Sequence, residues 1–501
     1  MSWGFTFNLS FILGIYLVFA VSYALLGDYS IHVANLVIGG LFIGGYLTWR
    51  MLKNRARLPR TGLELIILIT FSIAILSCFI SPDPRQSVSR LMLFALYIIS
   101  FYLFLDLFDA GLNKTAAFQG LLMAGGVVIL LAVYEVYLRY QSWWQMVGSF
   151  NIFPPGPYRL TSILGHSNTL MTYINLFAPM ALVAFILARR PLGKVVYAVW
   201  LLLYLIMLPF TSSRGGWVGF LAWLGILILY WIWKAGFQRL RQLLWTKRLP
   251  VTRVLFILVG GIIGSTVLKG WSYFSSHSSH GLPGANLFAT RTGIWANAIA
   301  VIKSSPLIGI GPGRFAFGYL AQGHDTPPGF WALNAHNLPL ELAAEFGLFG
   351  LLAVVILLLV GGYKVWKILR NTSQSEPDLW SVAAVAGIAS FLVNCIVEDP
   401  TGVVPAIMFV FLSAFLLARP STLTLSGALP RFRNLRLGIL LVPGLIILGL
   451  GGWMTWAYQP MTEGLVAAQN QDWVKTATLI SQSSARDPSF TFYQTYAGLA
   501  W

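Results

Sequence analysis

Long apolar runs broken by short polar segments dominate the chain. Stretches long enough to cross about 30 Å of hydrocarbon fall at 5–26, 33–49, 63–80, 91–108, 117–138, 168–188, 195–211, 215–233, 254–268, 347–363, 379–397, 402–418 and 437–457. This pattern predicts an all-α, polytopic membrane protein with about thirteen transmembrane helices. The longest interruption, at about 269–346, carries helical patterning of its own, including a helix at 290–303, and reads as one large helical loop. Residues 1–457 then form the transmembrane domain, and 458–501 form an amphipathic tail.

Composition agrees with the pattern. Of the 501 residues 57% are hydrophobic and 10% charged, too little polar surface to cover a soluble core, so the bilayer must be the solvent. The net charge of +17 would suggest nucleic acid in a soluble protein. Here the basic residues sit mainly in short loops, which is a topology signal instead, and no nucleic-acid partner is expected. With a cytoplasmic N-terminus, about two thirds of the 33 Lys and Arg fall in inside loops, at 50–62, 109–116, 189–194, 234–253, 364–378 and 419–436. The large loop and the tail are then outside. The first apolar run lacks a basic flank and a cleavage site and reads as a retained helix. Cys78 and Cys395 both lie in apolar runs, as small buried hydrophobes rather than a disulfide or metal pair.

Candidate chemistry gathers on the outside. Ser212-Ser213-Arg214-Gly215-Gly216-Trp217 joins two membrane helices. Two glycines let a ligand approach the backbone, a new helix begins with unpaired N–H groups, and Arg214 adds a permanent charge, which together describe an anion site. The plainer alternative is an arginine that snorkels to lipid phosphate. His336-Asn337 precedes, by a gap of nine residues, Gly347-Leu348-Phe349-Gly350. Pro339 suits the first turn of a short helix over 338–346, which puts His336 at an accessible helix mouth, able to exchange a proton near neutral pH. Arg291, with Trp295 one turn later, precedes Pro306-Leu307-Ile308-Gly309-Ile310-Gly311-Pro312-Gly313, a tight glycine loop fit to pass beside a ligand. Arg159 with Gly165-His166-Ser167-Asn168 adds a weaker outside element, and His277, His280 and His324 read as solvated.

The 16 acidic residues show no paired-Asp motif for Mg²⁺ or Mn²⁺, the nearest clusters being Glu341 with Glu345 and Glu398-Asp399. No Walker loop or dinucleotide fingerprint occurs. An enzyme of this kind is expected to work without a cofactor, without a metal, and on a substrate energised beforehand.

Ser213-Arg214-Gly215-Gly216, Arg291 with Trp295 ahead of Pro306-Leu307-Ile308-Gly309-Ile310-Gly311, and above all the spacing from His336-Asn337 to Gly347 and Gly350 resemble the O-antigen ligase and polymerase superfamily of bacterial membrane glycosyltransferases. The likeness covers roughly residues 60–420. It implies a metal-independent, inverting transfer of a glycan from an undecaprenyl pyrophosphate carrier to a glycan or lipid acceptor hydroxyl, on the periplasmic face of the inner membrane. Arg214 and Arg291 would clamp the leaving pyrophosphate, and His336 would accept the acceptor's proton or donate to a phosphate oxygen. Arg159, Asn168, Gly215, Gly216 and Asn337 would line the substrate site.

Other readings are a polysaccharide polymerase and, from another class, an anion (bicarbonate) transporter, against which stands the lack of mid-membrane charges and of matched broken helices. In the tail, Asp472-Trp473, Ala477, Leu479, Ala485, Asp487-Pro488, Tyr493 and Ala497 resemble one tetratricopeptide repeat and the first helix of another, with Thr476 and Ser483 as departures. One repeat cannot bury its own apolar face, so the chain either stops short of its natural end or docks this piece on the membrane domain. A partner protein could bind through it, and the plainer alternative is an ordinary helical hairpin.

Overall fold

The computed structural model describes residues 61–109, 112–148, 159–245, 287–322, 332, 334–372, 378–399, 403–418 and 431–500. The predicted helices at 5–26, 33–49 and 254–268, and His277, His280 and His324, lie outside these residues. Within them the chain is helical, without a strand.

The helices are α1 (Glu64–Ile80), α2 (Pro84–Asp109), α3 (Lys114–Val147), α4 (Ser167–Leu187), α5 (Pro191–Thr211), α6 (Arg214–Trp245), α7 (Leu287–Ser304), α8 (Phe315–Gln322), α9 (Leu338–Thr372), α10 (Leu379–Cys395), α11 (Val403–Leu417), α12 (Arg431–Gln469), α13 (Trp473–Arg486) and α14 (Thr491–Ala500). Six are long and apolar enough to cross a bilayer: α2 to α6 and α9. Three shorter apolar helices, α1, α10 and the 405–417 part of α11, match further predicted spans. Several helices outrun their hydropathy limits: α3 continues to Val147, α6 to Trp245 and α12 to Gln469. Hydropathy marks only the lipid-facing part of a helix, whereas backbone hydrogen bonding carries on through polar helix formers beyond it.

Helix α4 is the axis of the bundle. In its most apolar stretch 78% of residues are buried, against 28% in α5 and 33% in α6, which face outward. Ile174, Tyr173 and Phe177 on α4 share one core with Leu96 and Phe104 on α2, Phe118 on α3, Tyr204 on α5 and Phe411 on α11. Cys78 and Cys395 are both unpaired and buried. A smaller core, with Ile294, Ala298, Phe315, Tyr319 and Ala344, holds α7, α8 and the first turns of α9 as a cap.

The two ends of the bundle differ. At one end Lys114 pairs with Asp378 at 3.7 Å, Trp380 Nε1 donates to Thr115 Oγ1 at 3.3 Å, and the Lys364 amine lies 2.7 Å from where a side chain on Gly62 would begin. The α1–α2 turn, the cap, His336 and Glu398 gather at the other. Lys114, Lys364 and Asp378, from loops expected inside, thus share an end, and the cap formed by α7, α8 and the start of α9 takes the opposite one.

The cap is tied to α9 by a backbone exchange. At Gly347 the helix breaks, with φ 68° and ψ −175°, which opens the bonds that amides 348 and 349 would make to carbonyls 344 and 345. The segment 306–311 closes them. Leu348 N donates to Pro306 O at 2.8 Å and Phe349 N to Leu307 O at 3.3 Å, while Ile310 N and Gly311 N each donate at 3.0 Å, to Ala344 O and Glu345 O. Backbones this close leave no room for side chains: a Cβ on Gly309 would lie 2.3 Å from the Glu345 carbonyl carbon, and one on Gly347 would lie 2.2 Å from that of Leu307. The glycine loop is a connector whose backbone is held against α9.

Gly347→Ala is therefore expected to cost roughly 2–4 kcal/mol, from left-handed backbone strain and the loss of close approach. Gly361→Ala, on the same helix with open space around it, should be neutral or mildly stabilising. Thermal unfolding of the two variants in detergent checks this, and equal midpoints would refute the exchange as a source of stability.

The tail packs its own small core of Ala457, Met461, Ile480 and Tyr493, and it docks on the membrane domain. Arg85 Nε donates to Asp487 Oδ2 at 2.8 Å, with its guanidinium over the rings of Trp453 and Phe490. Thr491 Oγ1 donates to Asp83 Oδ2 at 3.0 Å.

Candidate functional site

The nine residues between His336-Asn337 and Gly347 are the first segment of α9, so the spacing measures the distance from its capped start to its break. Asn337 is the cap: its Oδ1 accepts from Leu340 N at 3.0 Å, as a helix start favours. Its Nδ2 donates to Ile396 O at 2.8 Å, which ties α9 to the chain leaving α10. Asn337, expected to line the substrate site, thus has both ends of its amide engaged by protein.

His336 stands immediately before this cap with φ 47°, a left-handed backbone that costs a side-chain-bearing residue about 1–2 kcal/mol. The amide of His336 donates to Asn334 Oδ1 at 3.3 Å, which helps to hold that conformation. Its imidazole Nδ1 lies 2.9 Å from Glu398 Oε2. The other carboxylate oxygen, Oε1, accepts from Arg291 Nη2, and Arg291 Nη1 donates to Val397 O at 3.0 Å. One turn along the same face of α7, Trp295 Nε1 donates to Ala335 O at 3.1 Å. The Arg291–Trp295 pair seen in the sequence therefore grips both sides of the site, α10's exit through Arg291 and the His336 loop through Trp295.

Exposure divides the cluster: the Glu398 side chain is 5% exposed, those of Arg291 and His336 31% and 30%. Burial by itself would raise the Glu398 carboxyl, but the His336 hydrogen bond and the charges of His336 and Arg291 outweigh it and hold the group below its ordinary value. An ionised carboxylate only accepts, so Nδ1 carries the proton and Nε2 of a neutral His336 keeps its lone pair.

In the sequence Glu398 appears only as half of the Glu398-Asp399 cluster, with no link to His336 or Arg291. Folding brings Glu341, Glu345 and Asp399 to the same end as well. Arg90 Nη2 lies 3.6 Å from Asp399 Oδ2, Glu341 Oε2 accepts from Ala335 N at 3.1 Å, and Glu345 Oε1 accepts from Phe315 N at 3.2 Å. Both glutamates thus brace cap backbone. Among the described residues, no three His, Cys, Asp or Glu side chains are grouped to hold a metal ion.

The α5–α6 break adjoins this cluster. Ser212 ends α5 in the left-handed region at φ 50°, and α6 starts at Arg214. Gly216 N donates to Ser213 Oγ at 3.2 Å. A Cβ on Gly215 would meet Val397 Cγ2 at 2.8 Å and both Asn394 Oδ1 and Glu398 Cγ at 3.2 Å, and one on Gly216 would meet Met171 Cγ at 1.8 Å. The two glycines thereby bring α6 against α10 and α4, and set the first turn of α6 beside Glu398. Arg159 is exposed; Leu160 N donates to Phe210 O at 2.9 Å, which places that loop beside the end of α5. Asn168 is buried in the first turn of α4, 7% exposed, and Thr172, bonded to its carbonyl, accepts from Asn394 Nδ2.

Residues 197–355, from α5 to the middle of α9, match the family model described as O-antigen ligase. That segment is similar to the O-antigen ligase family. The search of curated proteins finds no match. The O-antigen ligase segment contains Arg214, Gly215, Gly216, Arg291, His336, Asn337 and the Gly347 break, which is the set on which the resemblance in the sequence rests. Glu398 lies outside it, as do Arg159 and Asn168. The chain is thus a multi-pass membrane protein with an O-antigen ligase-like segment, and that likeness supports a ligase-like membrane glycosyltransferase in general terms.

Proposed function

We propose that the protein transfers a glycan from undecaprenyl pyrophosphate to an acceptor hydroxyl on the periplasmic side of the bacterial inner membrane. The observation that carries this reading is the His336–Glu398–Arg291 cluster beside the start of α6, where a histidine base, an orienting carboxylate and an arginine meet. The concentration of basic residues in the other loops supports a periplasmic site.

In this mechanism the acceptor oxygen attacks the anomeric carbon as the carbon–oxygen bond to pyrophosphate breaks. The electron pair leaves on the phosphate oxygen, and the hydroxyl proton passes to Nε2 of His336. A single displacement inverts the anomeric centre. Glu398 holds His336 in the receptive tautomer, a positioning role. Arg214 and Arg291 meet the growing charge of the leaving group, Arg214 from the start of a helix that itself favours anions. Membrane lipids flank the site, and the tetratricopeptide-like tail recruits a protein partner.

The test mixes purified full-length protein with a lipid-pyrophosphate glycan and either a lipid acceptor or carrier-linked glycan alone, with excess EDTA or added Mg²⁺. Product with the lipid acceptor, unchanged by EDTA, is expected, because the arginines supply the positive charge. Chain growth on carrier-linked glycan alone would make the protein a polymerase. Loss of product in EDTA with rescue by Mg²⁺ would shift the chemistry to the carboxylates, and absence of product from every mixture would discard the enzyme reading.

A further inference from the structure

We propose that Glu398 is an exchangeable internal anion: it holds Arg291 while the site is unliganded, and gives Arg291 up to the donor's pyrophosphate when the donor binds. The inference rests on the reading of Arg291 as a phosphate-binding residue. Three features of the geometry support it.

Both terminal nitrogens of Arg291 are committed, Nη1 to Val397 O at 3.0 Å and Nη2 to Glu398 Oε1. A two-pronged grip on phosphate needs parallel N–H groups of the same fork. Arg291 therefore cannot take phosphate through that edge and keep its present partners.

The carboxylate also occupies ground suited to the ligand. Glu398 Cγ lies 3.2 Å from the Cβ position of Gly215, in the first turn of α6, where the helix dipole favours an anion. An incoming pyrophosphate would meet a buried negative charge there, and repulsion is relieved only if Arg291 turns from one anion to the other.

Finally, the two oxygens of Glu398 have separate partners, Oε1 with Arg291 and Oε2 with His336 at 2.9 Å. One contact can be given up without the other. Once Arg291 has turned to the phosphate, Glu398 keeps its separate contact with His336 Nδ1 and with it the orientation of the imidazole. Donor binding thereby leaves the base in position.

The experiment compares binding of inorganic pyrophosphate to full-length wild type, Glu398→Gln and Arg291→Ala in nanodiscs by calorimetry, with transfer rates measured alongside. Glu398→Gln removes the competing charge at constant shape. It is expected to bind pyrophosphate roughly three- to tenfold more tightly than wild type, while kcat falls about 100-fold through the loss of His336 orientation. Unchanged or weaker binding in Glu398→Gln would overturn the exchange, since a carboxylate that merely poses Arg291 for phosphate predicts weaker binding. Wild-type affinity in Arg291→Ala would instead remove Arg291 from phosphate binding, a failure of the underlying reading. Should Glu398→Gln not fold, a structure of wild type with pyrophosphate decides: Arg291 turned to the phosphate upholds the exchange, and an intact Arg291–Glu398 pair beside bound pyrophosphate overturns it.

Discussion

His336→Ala is expected to lower the rate of glycan transfer by roughly 10²–10⁴-fold, the usual worth of a positioned general base, while the protein keeps its fold. The backbone supports the second half of that expectation. His336 sits at φ 47°, where alanine pays the same strain as histidine, and the helix cap belongs to Asn337. The measurement is initial transfer rate with purified protein, beside the thermal midpoint of the variant. Full turnover in His336→Ala would take histidine out of the chemistry and leave the arginines as the main source of catalysis. Loss of turnover only through a raised KM would assign His336 to phosphate binding rather than to proton transfer.

Arg214→Lys is expected to reduce transfer roughly 10- to 100-fold with little change in stability, because an ammonium keeps the charge but cannot reproduce a planar two-pronged contact with phosphate. Arg214 is the first residue of α6, one position before Gly215, whose missing side chain admits Glu398. Transfer rates and thermal midpoints of wild type, Arg214→Lys and Arg214→Ala separate the possibilities. Wild-type activity in the lysine variant would mark an arginine that reaches to lipid headgroups, where any long cation serves.

The legible part of this protein was what depends on local pattern. Apolar runs at 63–80, 168–188, 195–211 and 379–397 became α1, α4, α5 and α10 within a few residues, because a segment with no water around it must satisfy its own backbone hydrogen bonds as a helix. The start at Asn337, the break at Gly347 and the joint at Ser212–Arg214 were also marked, since caps, left-handed residues and helix starts are short-range events. Their purpose was not marked. Gly309, Gly311 and Gly347 looked like a ligand loop and a helix start, but they serve a backbone exchange between segments some forty residues apart, and only their meeting in space shows it. Glu398 was hidden for the same reason. It stands 62 positions after His336 and 107 after Arg291, on a different element from each, and it completes the cluster only when α7, α9 and α10 converge. Hydrophobic pattern therefore determines which segments are helices, while caps and left-handed residues mark where some of them begin and break. The identity of the carboxylate that orients the histidine, and the use to which each glycine is put, are decided by tertiary packing, because contacts between distant segments leave no periodic trace in the chain.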